Sequence, residues 1–195
     1  MDVAFVLGNG ISRRGLPLHD MSTHGHIYGC NALFRDFVPH VLVATDKPIA
    51  LHIEGTGYPT TNKFYTRRPT AGSGALEIPK PYYGFSSGPV ATALAALEQY
   101  PRIYMIGFDL GPTDDKKFNN LYASTEFYKD SSAVPTYTGN WVKQITQICK
   151  DFSKTKFIRV CGSTTSRIQE LDSIRNMQHL PLDQFIERLN KLKDF

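Results

Sequence analysis

The sequence predicts an α/β fold, Rossmann-like in kind: a mostly parallel central sheet covered by helices on both faces, in a single domain of 195 residues. Three observations predict it. Short runs rich in Val, Ile, Phe and Tyr recur along the chain, nearly continuous in hydrophobicity, as strands buried on both faces are. Segments with helical periodicity separate them, and strand–helix alternation is the mark of a parallel sheet. Hydrophobic content of 41% and charged content of 21% are those of a globular chain with a real core.

The first strand spans residues 3–7 and stops at Gly8-Asn9-Gly10. HIYGC (26–30) is the second strand and HVLVAT (40–45) the third, with a short helix over residues 32–37 between them. The middle, residues 47–85, holds five prolines at positions 48, 59, 69, 79 and 81; it is expected to be an irregular insertion, with KFYTRR (63–68) as a candidate strand. GPVATALAALEQ (88–99) is the clearest helix: Ser87 caps it, Pro89 suits its first turn, and the alanines allow tight packing. RIYMIGF (102–108) is the fourth strand, and a polar, Tyr-rich stretch over 111–138 is a second irregular insertion. A helix over 140–152 places Trp141, Ile145 and Ile148 on one face; KFIRVC (156–161) is the fifth strand; a helix over 182–192 closes the chain.

Ligands of open parallel sheets collect beyond the carboxyl ends of the strands. The residues delivered there are Gly8, Asn9, Gly10 and Ser12; Asn31; Asp46; Asp109; and Gly162 to Ser166. Ser86, Ser87 and Gly88 open the strongest helix, where unpaired N–H groups and the helix dipole favour an anion. Glycines let backbone amides turn toward a phosphate, Ser12 adds a hydroxyl, and Arg13 and Arg14 supply charge, although the loop is neither GxGxxG nor a Walker motif. A tight strand–helix turn is the plain alternative. If the loop is a cradle, Asn9→Ala or Gly10→Val abolishes binding and leaves thermal stability almost unchanged.

Asp46 and Asp109 are the candidate catalytic residues; either can activate an acceptor hydroxyl, bind a ribose or hold Mg²⁺, and either can also be a helix cap or loop acid. His24 and His26 form an HxH without a nearby acid and read as strand-surface residues. Tyr122, Tyr128 and Tyr137 with Trp141 form either a stacking platform or a loop pinned by its rings. Net charge of +4, spread along the chain, suits an anionic small ligand and argues against nucleic acid. Cys30, Cys149 and Cys161 lack zinc spacing and read as reduced thiols of a cytoplasmic protein. No apolar stretch has the roughly 18 residues of a membrane span.

FVLGNGIS, YGCNALFRDF, HVLVATD, SSGPVATALAAL and IYMIGFDLG, taken in order, resemble the sialyltransferase-like and motility-accessory-factor group of Rossmann-like proteins. The resemblance covers about residues 2–50 and 84–112, and it extends to small proteins of tailed bacteriophages. It implies a nucleotide or nucleotide-sugar site of the CMP type: Gly8, Asn9, Gly10 and Ser12 at phosphate and ribose, Asn31 at the donor, Ser86, Ser87 and Gly88 at phosphate or base. The expected function is a glycosyltransferase-like transfer to an unknown acceptor. Two alternatives stand beside it: an Mg²⁺-dependent pterin or nucleotide pyrophosphokinase-like reaction, and a non-catalytic virion component partnered by virion proteins or further copies of itself, located in the virion. The catalytic histidine of the longer sialyltransferases has no obvious match here.

Overall fold

A single eight-stranded sheet organises the chain, and every pairing in it is parallel. The computed structural model describes residues 2–193, with side chains through Lys191, so Leu192, expected on the apolar side of the last helix, lies outside the described side chains. The strands are β1 (Val3–Leu7), β2 (His26–Cys30), β3 (Val41–Val43), β4 (Phe64–Thr66), β5 (Leu76–Glu77), β6 (Arg102–Ile106), β7 (Lys156–Cys161) and β8 (Met177–Pro181). Their order across the sheet is β5-β4-β3-β2-β1-β6-β7-β8. The chain winds outward from β1 to one edge, returns to the centre, and winds outward to the other edge. The reversal falls between β1 and β6, where Leu7 pairs with Ile106. A crevice between loops that leave in opposite directions opens at such a point.

The helices are α1 (Leu18–His24), α2 (Lys47–Gly55), α3 (Ser87–Leu97), α4 (Gly139–Asp151), α5 (Gln169–Asp172) and α6 (Leu182–Lys193). Side chains alternate across β1: Ala4 and Val6 join the core beneath α3 and α4, while Phe5 and Leu7 join the core beneath α1, α2 and α6. Nine of the eleven residues of α3 are buried, and its alanines let it lie close over the centre of the sheet. No described helix is long and apolar enough to cross a membrane.

Several elements differ from expectation. Residues 47–55 form α2 rather than irregular chain, because Pro48 stands in the first turn, where a missing N–H and a fixed φ cost nothing. Residues 32–37 were expected to be helical; a 3₁₀ helix covers Asn31–Arg35. α1, α5 and β8 are additional short elements. Residues 112–138 hold no helix or strand, yet they are firmly attached. The Tyr122 hydroxyl donates to Asp36 (2.7 Å), the Leu121 N–H donates to the Asn9 carbonyl (2.8 Å), and the Ala32 N–H donates to the Tyr128 hydroxyl (3.2 Å). Tyr122 and Tyr128 therefore pin the insertion down, and burial pushes the Tyr122 phenol up to about 12. They are not a stacking platform; Tyr137 is largely solvent-exposed.

Candidate functional site

A cleft of about 320 Å³ lies over the carboxyl ends of the strands at the β1/β6 reversal. It brings together Gly8, Asn9, Gly10, Asn31, Asp46, Ser86, Ser87, Gly88 and Asp109. Of the residues singled out from sequence for this rim, Ser12, Arg13, Arg14 and Gly162 to Ser166 do not line it.

The β1 loop forms one wall and has little to offer an anion. The Gly8 N–H donates to the Ile106 carbonyl (2.8 Å), that of Gly10 to the Gly107 carbonyl (2.9 Å), that of Ile11 to Asn119 Oδ1 (2.9 Å) and that of Ser12 to Asp109 Oδ2 (3.1 Å). With four of its amides engaged in this way, and only that of Asn9 without an acceptor among the described residues, the loop makes no nest of converging N–H groups. The glycines serve close packing instead. A Cβ on Gly8 would lie 2.5 Å from the Gly107 carbonyl oxygen, and a Cβ on Gly10 would lie 2.5 Å from Asp109 Cγ. Gly10→Val is therefore a folding defect, not the neutral probe of binding that the sequence suggested. Asn9 bridges inward, donating to the Cys30 carbonyl (3.2 Å) and accepting from Arg13 Nη2 (3.0 Å). Arg13 is only 6% exposed and holds the Gly8 carbonyl through Nε (2.7 Å), so its charge faces the protein and not a ligand. Arg14 is exposed and does not line the cleft. The Cys30 thiol, beside Asn9, is pushed up to about 12 by burial.

Asp109 has a different task from the catalytic one suggested by its position after a strand. It is 3% exposed, and its carboxylate accepts the Ser12 N–H and hydroxyl, Asn119 Nδ2 (3.1 Å), the Thr164 hydroxyl (2.8 Å) and the Thr165 hydroxyl (3.0 Å). Five donors occupy the lone pairs that a base or metal ligand needs free. Asp109 ties together the loops after β1, β6 and β7, and Ser12 belongs to this knot. Behind it, Arg159, 1% exposed, donates to the Phe108 carbonyl (3.0 Å through Nε) and the Asp109 carbonyl (3.1 Å). Among the described residues, no group of three or more His, Cys, Asp or Glu is placed to hold a metal ion.

The opposite wall is chemically open. The Ser86 N–H donates to Gln144 Oε1 (2.8 Å), while Ser87 and Gly88 present first-turn N–H groups that no described residue accepts. The buried Ser87 hydroxyl accepts the Thr45 N–H (3.0 Å) and donates to Asn31 Oδ1 (3.1 Å), locking the end of β3 to Asn31. Asn31 has φ +54°, an uncommon conformation for a residue with a Cβ, and this tie supports it. Asp46 is the N-cap residue of α2, yet its side chain makes no cap hydrogen bond; it is exposed and has no ion pair within the described residues. Arg67, following β4, was missed. Arg67 lines the cleft, and its guanidinium donates through Nε to the Tyr83 carbonyl (3.0 Å) and through Nη2 to the Phe85 carbonyl (2.9 Å), with no carboxylate partner among the described residues. The rule that selects residues after strands selects Arg67 only because β4 ends at Thr66; the candidate strand KFYTRR takes Arg67 into the strand itself. Trp141 and Phe118 contribute flat apolar surface to the same cleft.

Comparison with known proteins finds no match: no family model fits the sequence, no curated protein aligns with it, and no solved structure matches the fold at a significant level. The site must be read from its own chemistry.

Proposed function

We propose that the cleft binds a nucleotide-activated sugar and that the protein transfers the sugar to an acceptor hydroxyl. The observation that carries this reading is the pairing, in one cleft, of first-turn N–H groups at Ser87 and Gly88 with Arg67, all of them without an anionic partner among the described residues. Phosphate oxygens match both. Trp141 and Phe118 offer a face for a base or sugar ring, and Asn31 offers an amide beside them.

In this reading Asp46 is the general base. The acceptor hydroxyl gives its proton to Asp46, its oxygen attacks the anomeric carbon, and the carbon–oxygen bond to phosphate breaks. The electron pair leaves on the phosphate, where the α3 donors and Arg67 stabilise it. Base assistance of this kind contributes about 10²–10⁴-fold. Among the described residues no histidine lines the cleft, so Asp46 takes the part that the resemblance gives to a histidine.

Titration calorimetry with CMP, CDP, UDP and GDP tests the binding step. Binding that Arg67→Ala weakens supports it; no heat at millimolar concentration of any of the four overturns it. Asp46→Asn is expected to retain nucleotide binding and lose transfer from a CMP-sugar. Equal turnover by the variant removes Asp46 from the mechanism.

A further inference from the structure

The end of β7 carries a second constellation that the cleft does not use. Cys161, the last residue of β7, sits two positions beyond Arg159, which pairs with His179 of β8 in the sheet register. Cys161 Sγ lies 3.8 Å from His179 Nδ1, and His179 Nε2 lies 3.3 Å from Asp172 Oδ1 at the end of α5. Thiol, imidazole and carboxylate thus stand in line. The thiol is partly exposed, and the His179 side chain is 30% exposed, so a small reagent can reach them.

The order of the three groups fixes their roles. A carboxylate at Nε2 holds the neutral imidazole with its proton on that nitrogen, which leaves the Nδ1 lone pair directed at the thiol. Burial and the nearby Arg159 and Arg167 charges lower the His179 pKa, outweighing Asp172 and a hydrogen bond with the Leu171 backbone. Burial, with smaller contributions from Asp109 and Asp172, raises that of the Cys161 thiol, against Arg159. Both shifts favour a neutral pair at rest, thiol beside free base. Such a thiol reacts when an electrophile arrives and the base takes its proton. Among the described residues neither Cys30 nor Cys149 has a histidine beside it, and they are 4% and 1% exposed.

We infer that Cys161, His179 and Asp172 form a thiol-modification site that reacts with low-molecular-weight disulfides. Cys161 Sγ attacks one sulfur of the disulfide while its proton passes to His179 Nδ1. The disulfide's S–S bond breaks, a new bond joins Cys161 Sγ to the attacked sulfur, and the departing thiolate takes the proton from His179. One protein thiol and one disulfide become one mixed disulfide and one free thiol. Cys161 and His179 are the reacting groups; Asp172, also bound by Arg167 Nε at 3.0 Å, is a positioning residue.

Oxidised glutathione is the probe, and intact mass with peptide mapping is the readout. The expected adduct is on Cys161 alone. At pH 7, His179→Ala is expected to slow its formation at least about tenfold, with Asp172→Asn slowing it less. The pH profile separates base assistance from accessibility. The wild-type rate is expected to stay nearly level between about pH 7 and 8, while the His179→Ala rate rises about tenfold per pH unit as the thiolate forms. His179→Gln serves if the alanine variant does not fold. Equal rates with parallel profiles, or an adduct forming first on Cys30 or Cys149, overturn the inference.

Discussion

The loop after β1 and the start of α3 are built from the same kinds of residue and face the same cleft, yet they do opposite things. The loop from Gly8 to Ser12 directs four of its amides, those of Gly8, Gly10, Ile11 and Ser12, at the end of β6 and the loop that follows it. Ser86-Ser87-Gly88 loses one amide to Gln144 and keeps two. The difference lies in the neighbours. β1 is central, so its loop is hemmed in by loops from both sides of the reversal, and of the amides of residues 8–12 only that of Asn9 has no acceptor among the described residues. α3 begins with a proline in its first turn, and among the described residues only Gln144 of α4 accepts an amide of Ser86, Ser87 or Gly88. A glycine-rich turn is an anion site only where no carbonyl has reached its amides first.

That contrast can be broken at four points. Asp109→Ala removes the acceptor from five donors and is expected to cost about 3–5 kcal/mol, lowering the melting temperature on the order of 10 °C. Unchanged thermal unfolding would show that the knot is dispensable. Gly10→Ala forces a Cβ to within 2.6 Å of the Gly107 carbonyl oxygen and is expected to cost about 1–3 kcal/mol, also read by thermal unfolding. Arg67→Ala reverses the pattern: nucleotide affinity falls about tenfold by calorimetry, about 1.4 kcal/mol, while the melting temperature stays within about 2 °C. The smallest effect lies at the other end of the sheet, where the His26 and His40 rings stack at 3.9 Å, 5° from parallel. Burial, with His26 and Lys63, lowers the His40 pKa below the ordinary 6.5. The unfolded chain then binds more protons, so stability present at pH 7.5 is lost as pH falls through about 6.5. His40 is exposed enough for solvent to screen this, so the slope is shallow. His40→Gln is expected to flatten it in melts at pH 7.5 and 5.5, leaving the share due to His179, lowered in the same direction.

The strands were legible because burial on both faces leaves an unbroken apolar run: β1, β2 and β7 fall where their residues predict. α2 was hidden by Pro48, which reads as a breaker until its first-turn position is known. β8 was hidden because only Met177 and Leu180 of its five residues are buried. The location of the cleft was legible from the strand ends. What each group does there was not. Asp46 and Asp109 both follow strands, and only the fold shows that residues 12, 119, 164 and 165 converge on the second and none on the first. Arg13 looked like a phosphate ligand because a charge beside glycines suggests solvent; it turns inward onto the Gly8 carbonyl and Asn9, and Tyr122, 109 positions away, completes its set of acceptors.

The reversal at β1/β6 has a consequence for assembly. β1 pairs with β2 after some twenty residues, but its other neighbour, β6, is almost a hundred residues further along the chain. A growing or refolding chain can therefore lay down β1 through β5 early and still leave one side of its most apolar strand unpaired. The seam in the middle of the sheet cannot close until β6 is made. Because Gly8, Gly10 and the Asp109 knot sit at the head of that seam, the cleft takes shape as the seam closes. A half-finished chain therefore has no site to occupy.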